Sequence, residues 1–277
     1  MQFVPVDDLN RQQVLAFITP HEAACAALTE NIRRKADDIF ALEDDCGNVS
    51  GVIGAKRTIL HCLPDAGNAE KSALIEPELR AFLHGRKAAC INGEKYGTEF
   101  ILRILASDGI QPAAVNHYTL MTQPQEKFRA VILPQGWRIV HCHEKDADTL
   151  MSLQSAYEKE EVLPVCRTFS ASVVLQNLEH TLRTEYVLSL QTNRGAFVAK
   201  ANTNAIGINY IQIGGVYTDP GYRRHHYAAL LVSTLVHKIY TVKKRPVLFV
   251  KDSNAAASQL YNSLGFVKSD SFVIAYL

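Results

Sequence analysis

A short basic segment, TDPGYRRHHYAAL at residues 218–230, has the residue types of an anion site. Two arginines and two histidines follow a proline–glycine turn and precede an apolar run with helical spacing. The first turn of a helix presents unpaired backbone N–H groups and the positive end of the helix dipole, which together bind phosphate groups. Arginine adds forked donors. The segment therefore predicts an anion site on a helix that begins near Arg223; a solvated helix start and a metal site are the alternatives.

A second segment, NAAASQLYNSLGF at residues 254–266, predicts a helix that follows the apolar strand VLFVKD. Asn254 can cap this helix and Gly265 can end it. Tyr261 comes seven residues after Asn254, so that two helical turns place both side chains on one face. Both can then address one ligand in a groove beside the strand. An ordinary amphipathic helix with its leucines in the core is the alternative explanation of the pattern.

Residues 141–148, HCHEKDAD, are the best candidate for a metal site. His141 and His143 would share one face of a strand, with carboxylates nearby. The spacing places no third ligand, so ordinary surface histidines are favoured. The cysteines lie far apart without a C-x-x-C pair, which disfavours a zinc site and a dense disulfide framework. They stand at positions 25, 46, 62, 90, 142 and 166.

Together, the two segments resemble the GNAT superfamily of N-acetyltransferases, whose members use acetyl-coenzyme A. The acyl-CoA signature of the family is Arg or Gln, two variable residues, Gly, one variable residue, then Gly or Ala, and it falls on Arg223–Ala228. The later signature, Asn-x-x-Ala-x-x-Leu-Tyr-x-x-x-Gly-Phe, is matched at each fixed position by Asn254, Ala257, Leu260, Tyr261, Gly265 and Phe266. Two motifs in register about 30 residues apart are specific, whereas either alone would be weak.

The resemblance implies a cofactor site and one catalytic residue. Backbone groups of Val216–Thr218 would bond to the pantetheine arm and polarise the thioester carbonyl, and Arg223–Ala228 would hold the pyrophosphate. Tyr261 would give a proton to the departing thiolate. The cofactor-binding residues implied are Val216, Tyr217, Thr218, Arg223, Arg224, His225, His226, Tyr227, Ala228, Asn254, Ala257 and Tyr261.

One fixed position departs from the family signature. His226 stands where the family usually has glycine, close to where the backbone meets the pyrophosphate. A residue with ordinary right-handed helical backbone does not require glycine, and an imidazolium that points outward would contact a phosphate. The sequence leaves open whether His226 weakens the site or adds a contact to it.

The resemblance implies that acetyl moves from acetyl-CoA to a primary amine, of a small molecule or a peptide, by direct attack through a tetrahedral intermediate. The base that deprotonates the amine is not indicated. Many relatives use a glutamate on the fourth strand, where INYIQIGGVYT offers Gln212 and no carboxylate. Glu185, Glu161 and a water relay stay open. A non-catalytic acyl-CoA sensor or interaction module is the alternative function.

The elements that would position these residues predict an α/β fold in two domains. Residues 134–277 would form the acetyl-CoA-binding catalytic domain, a GNAT-like mixed, mainly antiparallel sheet flanked by helices. Residues 1–133 would form an N-terminal α/β domain without an acyl-CoA signature. Its pattern of strand ILHCL, a helix near 76–84, strand AACIN, a helix over 94–106 and strand NHYTLMTQ suggests a degenerate copy of the same fold. Helix-rich packing is the alternative, and a homodimer contact is a further role for this domain.

Composition disfavours several other functions. The chain has 277 residues, of which 47% are hydrophobic, and can bury a sizeable core. Its 29 basic and 28 acidic residues nearly cancel, so no global field favours a nucleic-acid or membrane partner. No apolar run reaches the roughly 18 residues of a membrane span, and the first residues lack the layout of a signal peptide. We therefore expect a cytoplasmic protein that uses no metal.

Overall fold

The chain divides into two compact units. The structure, a computed structural model, describes residues 1–132, 135–164 and 166–277. Unit 1 comprises Met1–Leu120, Ile206–Tyr210 and Ser269–Leu277; unit 2 comprises Met121–Ala205 and Ile211–Lys268. The domain boundary expected between residues 133 and 134 lies outside the described residues and stays a prediction.

The first part of the chain contains both strands and helices. The strands are β1 (Gln2–Pro5), β2 (Ile39–Glu43), β3 (Val49–Ala55), β4 (Thr58–Cys62), β5 (Cys90–Glu94) and β6 (Ala114–Thr122). The helices are α1 (Arg11–Ile18), α2 (Glu22–Arg33), α3 (Ala69–Leu83) and α4 (Lys95–Ser107).

The second part of the chain also contains both strands and helices. Its strands are β7 (Arg138–Cys142), β8 (Val187–Gln191), β9 (Phe197–Ile206), β10 (Tyr210–Thr218), β11 (Arg245–Lys251) and β12 (Val267–Tyr276). Its helices are α5 (Ala147–Tyr157), which continues as a π-turn over Glu158–Val162, α6 (Ala171–Thr184), α7 (Tyr227–Thr241) and α8 (Ala255–Ser263).

Unit 1 is a mixed sheet with helices on both faces. Its strand order is β1-β2-β3-β4-β5-β12-β6, so the last strand of the chain lies inside the sheet of the first unit. Strands β4 and β5 are parallel, and the neighbouring pairs β3–β4 and β5–β12 are antiparallel. One core cluster packs under α3 and α4, and a second packs under α1 and α2.

The predicted order of elements in unit 1 is confirmed from β4 through α3, β5 and α4 to β6. Helix α3 begins at Ala69, several residues before the predicted start, because the Asn68 side chain accepts hydrogen bonds from the N–H groups of Glu70 and Lys71. In α4 the predicted apolar face is buried: Phe100, Ile101, Ile104 and Leu105.

Unit 2 has the strand order β11-β10-β9-β8-β7. Strands β7, β8 and β9 are antiparallel neighbours. The turn predicted at Asn193–Gly195 joins β8 to β9, with Gly195 at a φ of +85°. Residues from α5, α6, β7, β8 and β10 form a core cluster on one face. Along β10 the buried positions alternate with half-buried ones, so the strand presents two distinct faces.

Two further sequence expectations concern the whole chain. All six cysteines are free; four are buried, and Cys46 and Cys166 are exposed. Within the described ranges, the helices are too short or too polar to span a bilayer.

Candidate active site

Strand β10 carries Val216–Thr218, and its backbone is irregular just before them. Gly215 has a φ of +58°, in the left-handed region that favours glycine. A Cβ atom at this position would collide with the Asn202 side chain and would lie 2.9 Å from Lys200 Nζ. The distortion therefore depends on glycine, and it sets the direction of the last three residues of the strand.

The exit of β10 is held by an ion pair. The Tyr217 hydroxyl donates to Glu160 Oε2 at 3.0 Å, and Arg223 NH2 donates to the same oxygen at 2.7 Å. Arg223 Nε also donates to the Thr218 carbonyl at 3.1 Å. The hydrogen bond from Arg223 lowers the pKa of the Glu160 carboxyl below its ordinary value. Arg223, expected on phosphate, thus contacts the strand exit in this structure.

The hydroxyl group of Thr218 is buried without a hydrogen bond within the described part of the chain. Its Oγ1 is buried and has no hydrogen-bond partner among the described residues. A buried hydroxyl without a partner loses roughly 1–3 kcal/mol relative to one that is bonded. Because Thr218 is the last residue of β10, this buried hydroxyl lies at the end of the strand.

The turn before α7 differs from the sequence prediction. The helix predicted to begin near Arg223 begins at Tyr227, because Arg224 and His226 have φ values of +67° and +61°. Left-handed residues cannot continue a right-handed helix. The right-handed helical backbone considered for His226 is not found: His226 is the N-cap of α7 with a left-handed backbone, the conformation that glycine adopts at least cost.

The same turn offers backbone donors to an anion. The first main-chain hydrogen bond of α7 runs from Leu230 N–H to the His226 carbonyl at 3.0 Å, so the N–H groups of Tyr227, Ala228 and Ala229 have no acceptor inside the helix. Turns with left-handed residues gather successive N–H groups into anion-binding concavities. Arg224 is exposed beside them. We call residues 223–229 the cradle.

Aromatic rings line one side of the cradle. The His225 ring stacks on Tyr227 with a centroid distance of 5.5 Å, and Tyr227 contacts Trp137 at 4.5 Å. Trp137 also meets Tyr222 edge-on at 6.3 Å. His225 and His226 are exposed. Trp137 was not predicted to lie at this site, since it stands some 90 residues before Tyr227 and only the fold brings the two rings together.

Helix α8 presents the Asn-to-Tyr motif. Asn254 Oδ1 accepts from the Ala257 N–H at 3.0 Å, which confirms it as the cap, and Asn254 Nδ2 donates to Glu161 Oε1 at 3.1 Å. Tyr261 is 7% exposed. Burial, with a smaller contribution from the Glu161 charge, raises the pKa of its phenol. Tyr261 therefore stays protonated and can act as a proton donor.

The candidate bases lie in different surroundings. Glu161 is bonded to Asn254, and its other oxygen is 4.0 Å from Lys251 Nζ. Glu185 accepts a hydrogen bond from the Thr203 hydroxyl. Glu160 is paired with Arg223. Glu160 was not predicted as a site residue, because it stands in the acidic run EKEEV of a π-turn, whose irregular period does not indicate which side chain faces inward.

The histidine pair at 141 and 143 lies on the β7 side of unit 2. The two rings are 4.3 Å apart, and His141 stacks on Tyr186 at 4.0 Å. In the part of the chain that the structure describes, no group of three or more His, Cys, Asp or Glu side chains is placed to hold a metal ion.

Comparison with known proteins agrees with this geometry. Residues 190–274, which include β10, the cradle and α8, match the family model of FR47-like proteins. No curated protein matches the sequence significantly.

Solved structures match over the whole chain. A Drosophila protein superposes with a TM-score of 0.72 at 13% identity, covering 99% of this chain and 98% of its own. A tandem GNAT protein from the clavulanic acid biosynthesis pathway gives 0.62 at 14% identity, covering 100% and 98%. A GCN5-related N-acetyltransferase from Sphaerobacter thermophilus gives 0.60 at 14% identity, covering 99% and 94%.

At such identities these likenesses establish the fold. The chain has the mixed α/β fold of the GNAT proteins over its full length, and the resemblance seen in the two sequence motifs is confirmed.

Proposed function

We propose that the protein is an N-acetyltransferase that moves acetyl from acetyl-CoA to a primary amine. The observation that carries the proposal is the arrangement around β10 in unit 2. The strand ends at Thr218, whose buried hydroxyl lacks a partner among the described residues. The cradle follows directly, and α8 adds a buried phenol capable of donating a proton. These are the parts that an acyl-CoA-dependent transfer requires.

Acetyl-CoA supplies a thioester whose carbonyl carbon accepts the amine. In the proposed mode, backbone groups of Val216–Thr218 bind the pantetheine arm, and the N–H of Val216 stabilises negative charge that develops on the carbonyl oxygen. The N–H groups at the start of α7 bind the pyrophosphate. Holding two reactants in line accounts for much of the rate in reactions of this type.

Tyr261 would protonate the thiolate that leaves. With reference pKa values of about 8.5 for a thiol and about 10 for a phenol, this transfer is uphill, and burial of Tyr261 makes the phenol a weaker acid still. The same burial ensures that the proton is present throughout the neutral pH range. Close contact between donor and acceptor is then the condition for efficient transfer.

Glu161 is the better placed of the two carboxylates considered as base. Its charge acts on Tyr261, and its side chain bonds to Asn254 on the helix that carries that tyrosine. Glu185 is instead bonded to Thr203 on β9. We propose that Glu161, directly or through water, accepts the proton of the incoming ammonium.

Two measurements test the function. Calorimetric titration with acetyl-CoA is expected to show binding to one site, and release of CoA is then followed with a panel of primary amines. Binding without release on any acceptor would favour the second candidate, a non-catalytic acyl-CoA sensor, which the left-handed His226 in place of glycine supports. Absence of binding would contradict both functions.

A further inference from the structure

The ammonium group of Lys200 is buried in unit 2. Lys200 lies on β9 and is 2% exposed. Its Nζ donates to the Gly215 carbonyl at 2.9 Å and to Asn202 Oδ1 at 3.4 Å, and it lies 4.7 Å from the centre of the Tyr157 ring. Lysine is rarely buried to this degree, since a charge removed from water needs strong partners. The hydrogen bond from Lys200 to the Gly215 carbonyl on β10 indicates a role for this lysine.

The carbonyl that Lys200 contacts belongs to the same peptide group as the N–H of Val216. This peptide bond is trans, so its N–H points away from its C=O and therefore away from the ammonium. A cationic donor on the oxygen draws electron density through the conjugated group, which makes the N–H a stronger donor. Strand β10 lies between β9, which carries Lys200, and β11.

We propose that Lys200 is a positioning residue that polarises the Gly215–Val216 peptide group and thereby strengthens the hydrogen bond from Val216 N–H to the thioester carbonyl. The inference rests on the proposed function, because it assumes that acetyl-CoA binds along β10. It assigns to Lys200 an electrostatic role in activating the acetyl group.

Neighbouring side chains hold this part of β10 in place. The N–H of Gly215, which belongs to the preceding peptide group, is hydrogen-bonded to the Tyr157 hydroxyl. Asn202 accepts from the Lys200 ammonium through its Oδ1, and its Nδ2 donates at 2.8 Å to the Thr203 carbonyl and at 2.8 Å to Asn204 Oδ1. The absence of a side chain at Gly215 leaves room for these groups. Lys200 therefore holds the Gly215–Val216 peptide directly at its carbonyl, and Tyr157 holds the peptide before it.

The charge of Lys200 depends on pH in an accessible range. Burial lowers its pKa to about 8, while Glu158 and Cys142 act in the opposite direction. Among the described residues, the titratable groups that face it are Tyr157 at the end of α5, Glu158 at the start of the π-turn and Cys142 on β7. Tyr217 shares this face of β10 but turns its hydroxyl to Glu160. Burial raises the pKa of Cys142 to about 12, so this thiol stays neutral while Lys200 titrates. The polarising charge is present below about pH 8 and lost above it.

Infrared spectroscopy of the bound thioester measures the effect directly. The full-length protein is saturated with acetyl-CoA labelled with ¹³C at the carbonyl, and the carbonyl band is compared in the wild type, Lys200→Met and Lys200→Arg. We expect a lower wavenumber in the wild type than in Lys200→Met, and a band close to the wild type in Lys200→Arg, which keeps the charge. Turnover of Lys200→Met should fall about tenfold, less than when an oxyanion donor is removed outright. Lys238→Met, which removes an exposed charge on α7, should change neither band nor turnover.

A pH titration of the wild type provides a second measurement that needs no variant to fold. The carbonyl band should rise as pH passes through about 8, and this step should be absent in Lys200→Arg. Identical bands in bound wild type and bound Lys200→Met, or a wild-type band that ignores pH, would overturn the role of Lys200 and leave the proposed function standing. If acetyl-CoA does not bind the wild type, both are overturned.

Discussion

Tyr261 combines burial with a carboxylate neighbour, and both features keep its proton in place. Replacing it with phenylalanine preserves the ring that packs edge-on against Phe266 at 5.9 Å and removes only the phenolic hydroxyl group. We expect Tyr261→Phe to reduce turnover by roughly 10²–10⁴-fold with little change in the Kd for acetyl-CoA. Single-turnover kinetics check the chemical step.

The matched control for this prediction is Tyr96→Phe, at an exposed tyrosine of unit 1, which should leave turnover unchanged. If Tyr261→Phe reacts as fast as the wild type in a single turnover, Tyr261 is not the general acid. A large rise in the Kd for acetyl-CoA with an unchanged single-turnover rate would instead show that Tyr261 contributes to binding.

The left-handed backbone of His226 affects the stability of the protein. A non-glycine residue in the left-handed region costs about 1–2 kcal/mol, and His226 has a φ of +61° without a side-chain capping bond. His226→Gly should therefore raise the free energy of unfolding by about 1 kcal/mol, after the greater entropy of unfolded glycine is subtracted. Chemical denaturation monitored by circular dichroism measures the change.

Two substitutions accompany this measurement. Arg224→Gly, at a φ of +67°, should stabilise by a similar amount, whereas Ala228→Gly, inside α7, should destabilise by up to about 1 kcal/mol. A loss of stability in His226→Gly would show that the imidazole makes contacts worth more than the strain. Calorimetric titration of His226→Gly with acetyl-CoA then shows which role the imidazole has. A lower Kd than in the wild type means that the imidazole weakens binding at the cradle, and a higher Kd means that it adds a contact.

At the scale of elements, β10 is shaped by the one glycine that admits Lys200 and Asn202 beside the main chain. Gly215→Ala combines a left-handed backbone with a steric collision, so the strand must shift. We expect a loss of about 2 kcal/mol or more in the free energy of unfolding and a marked loss of acetyl-CoA affinity, since the end of the strand, Val216–Thr218, would run in another direction.

Gly221→Ala is the control for this element. Gly221 lies in the short turn after β10, and the nearest atom to a Cβ there is Asp219 Oδ1 at 3.3 Å. Its φ is not in the left-handed region. Denaturation and calorimetry should find Gly221→Ala close to the wild type. Equal stability of the two variants would mean that β10 adapts to a side chain at 215.

At the scale of the whole molecule, unit 1 is completed by distant parts of the chain. Strand β12 pairs with β5 from Phe272 opposite Glu94 to Tyr276 opposite Cys90, and it stands inside the sheet order of that unit. The Glu22 carboxylate, which is fully buried, accepts hydrogen bonds from the backbone and side-chain N–H groups of Asn209 and from the Tyr210 N–H.

A fragment of residues 1–133 is therefore expected not to fold. It lacks an internal strand, and it leaves the buried Glu22 without its donors, which is costly for a carboxylate. Circular dichroism and thermal denaturation of the fragment, compared with the full chain, check this. A cooperative unfolding transition in the fragment would contradict the expectation.

The fold could be anticipated because local patterns agreed with it. The apolar period of α4, the turn at Asn193–Gly195 and the Asn254 cap all follow from neighbouring residues, and each is found in the structure. The start of α7 was not predicted correctly, because left-handed backbone at Arg224 and His226 depends on the turn as a whole and their residue types gave no sign of it.

The sequence by itself determined the succession of elements, the two motifs and the GNAT-like fold that they indicate, since these depend on spacing along the chain. Only the tertiary structure decided which groups meet: Glu160 with Arg223, Glu161 with Asn254, and Lys200 with the Gly215 carbonyl. These contacts join residues that lie far apart in sequence or on different strands. Their pKa shifts arise from burial and proximity, which exist only after the chain has folded.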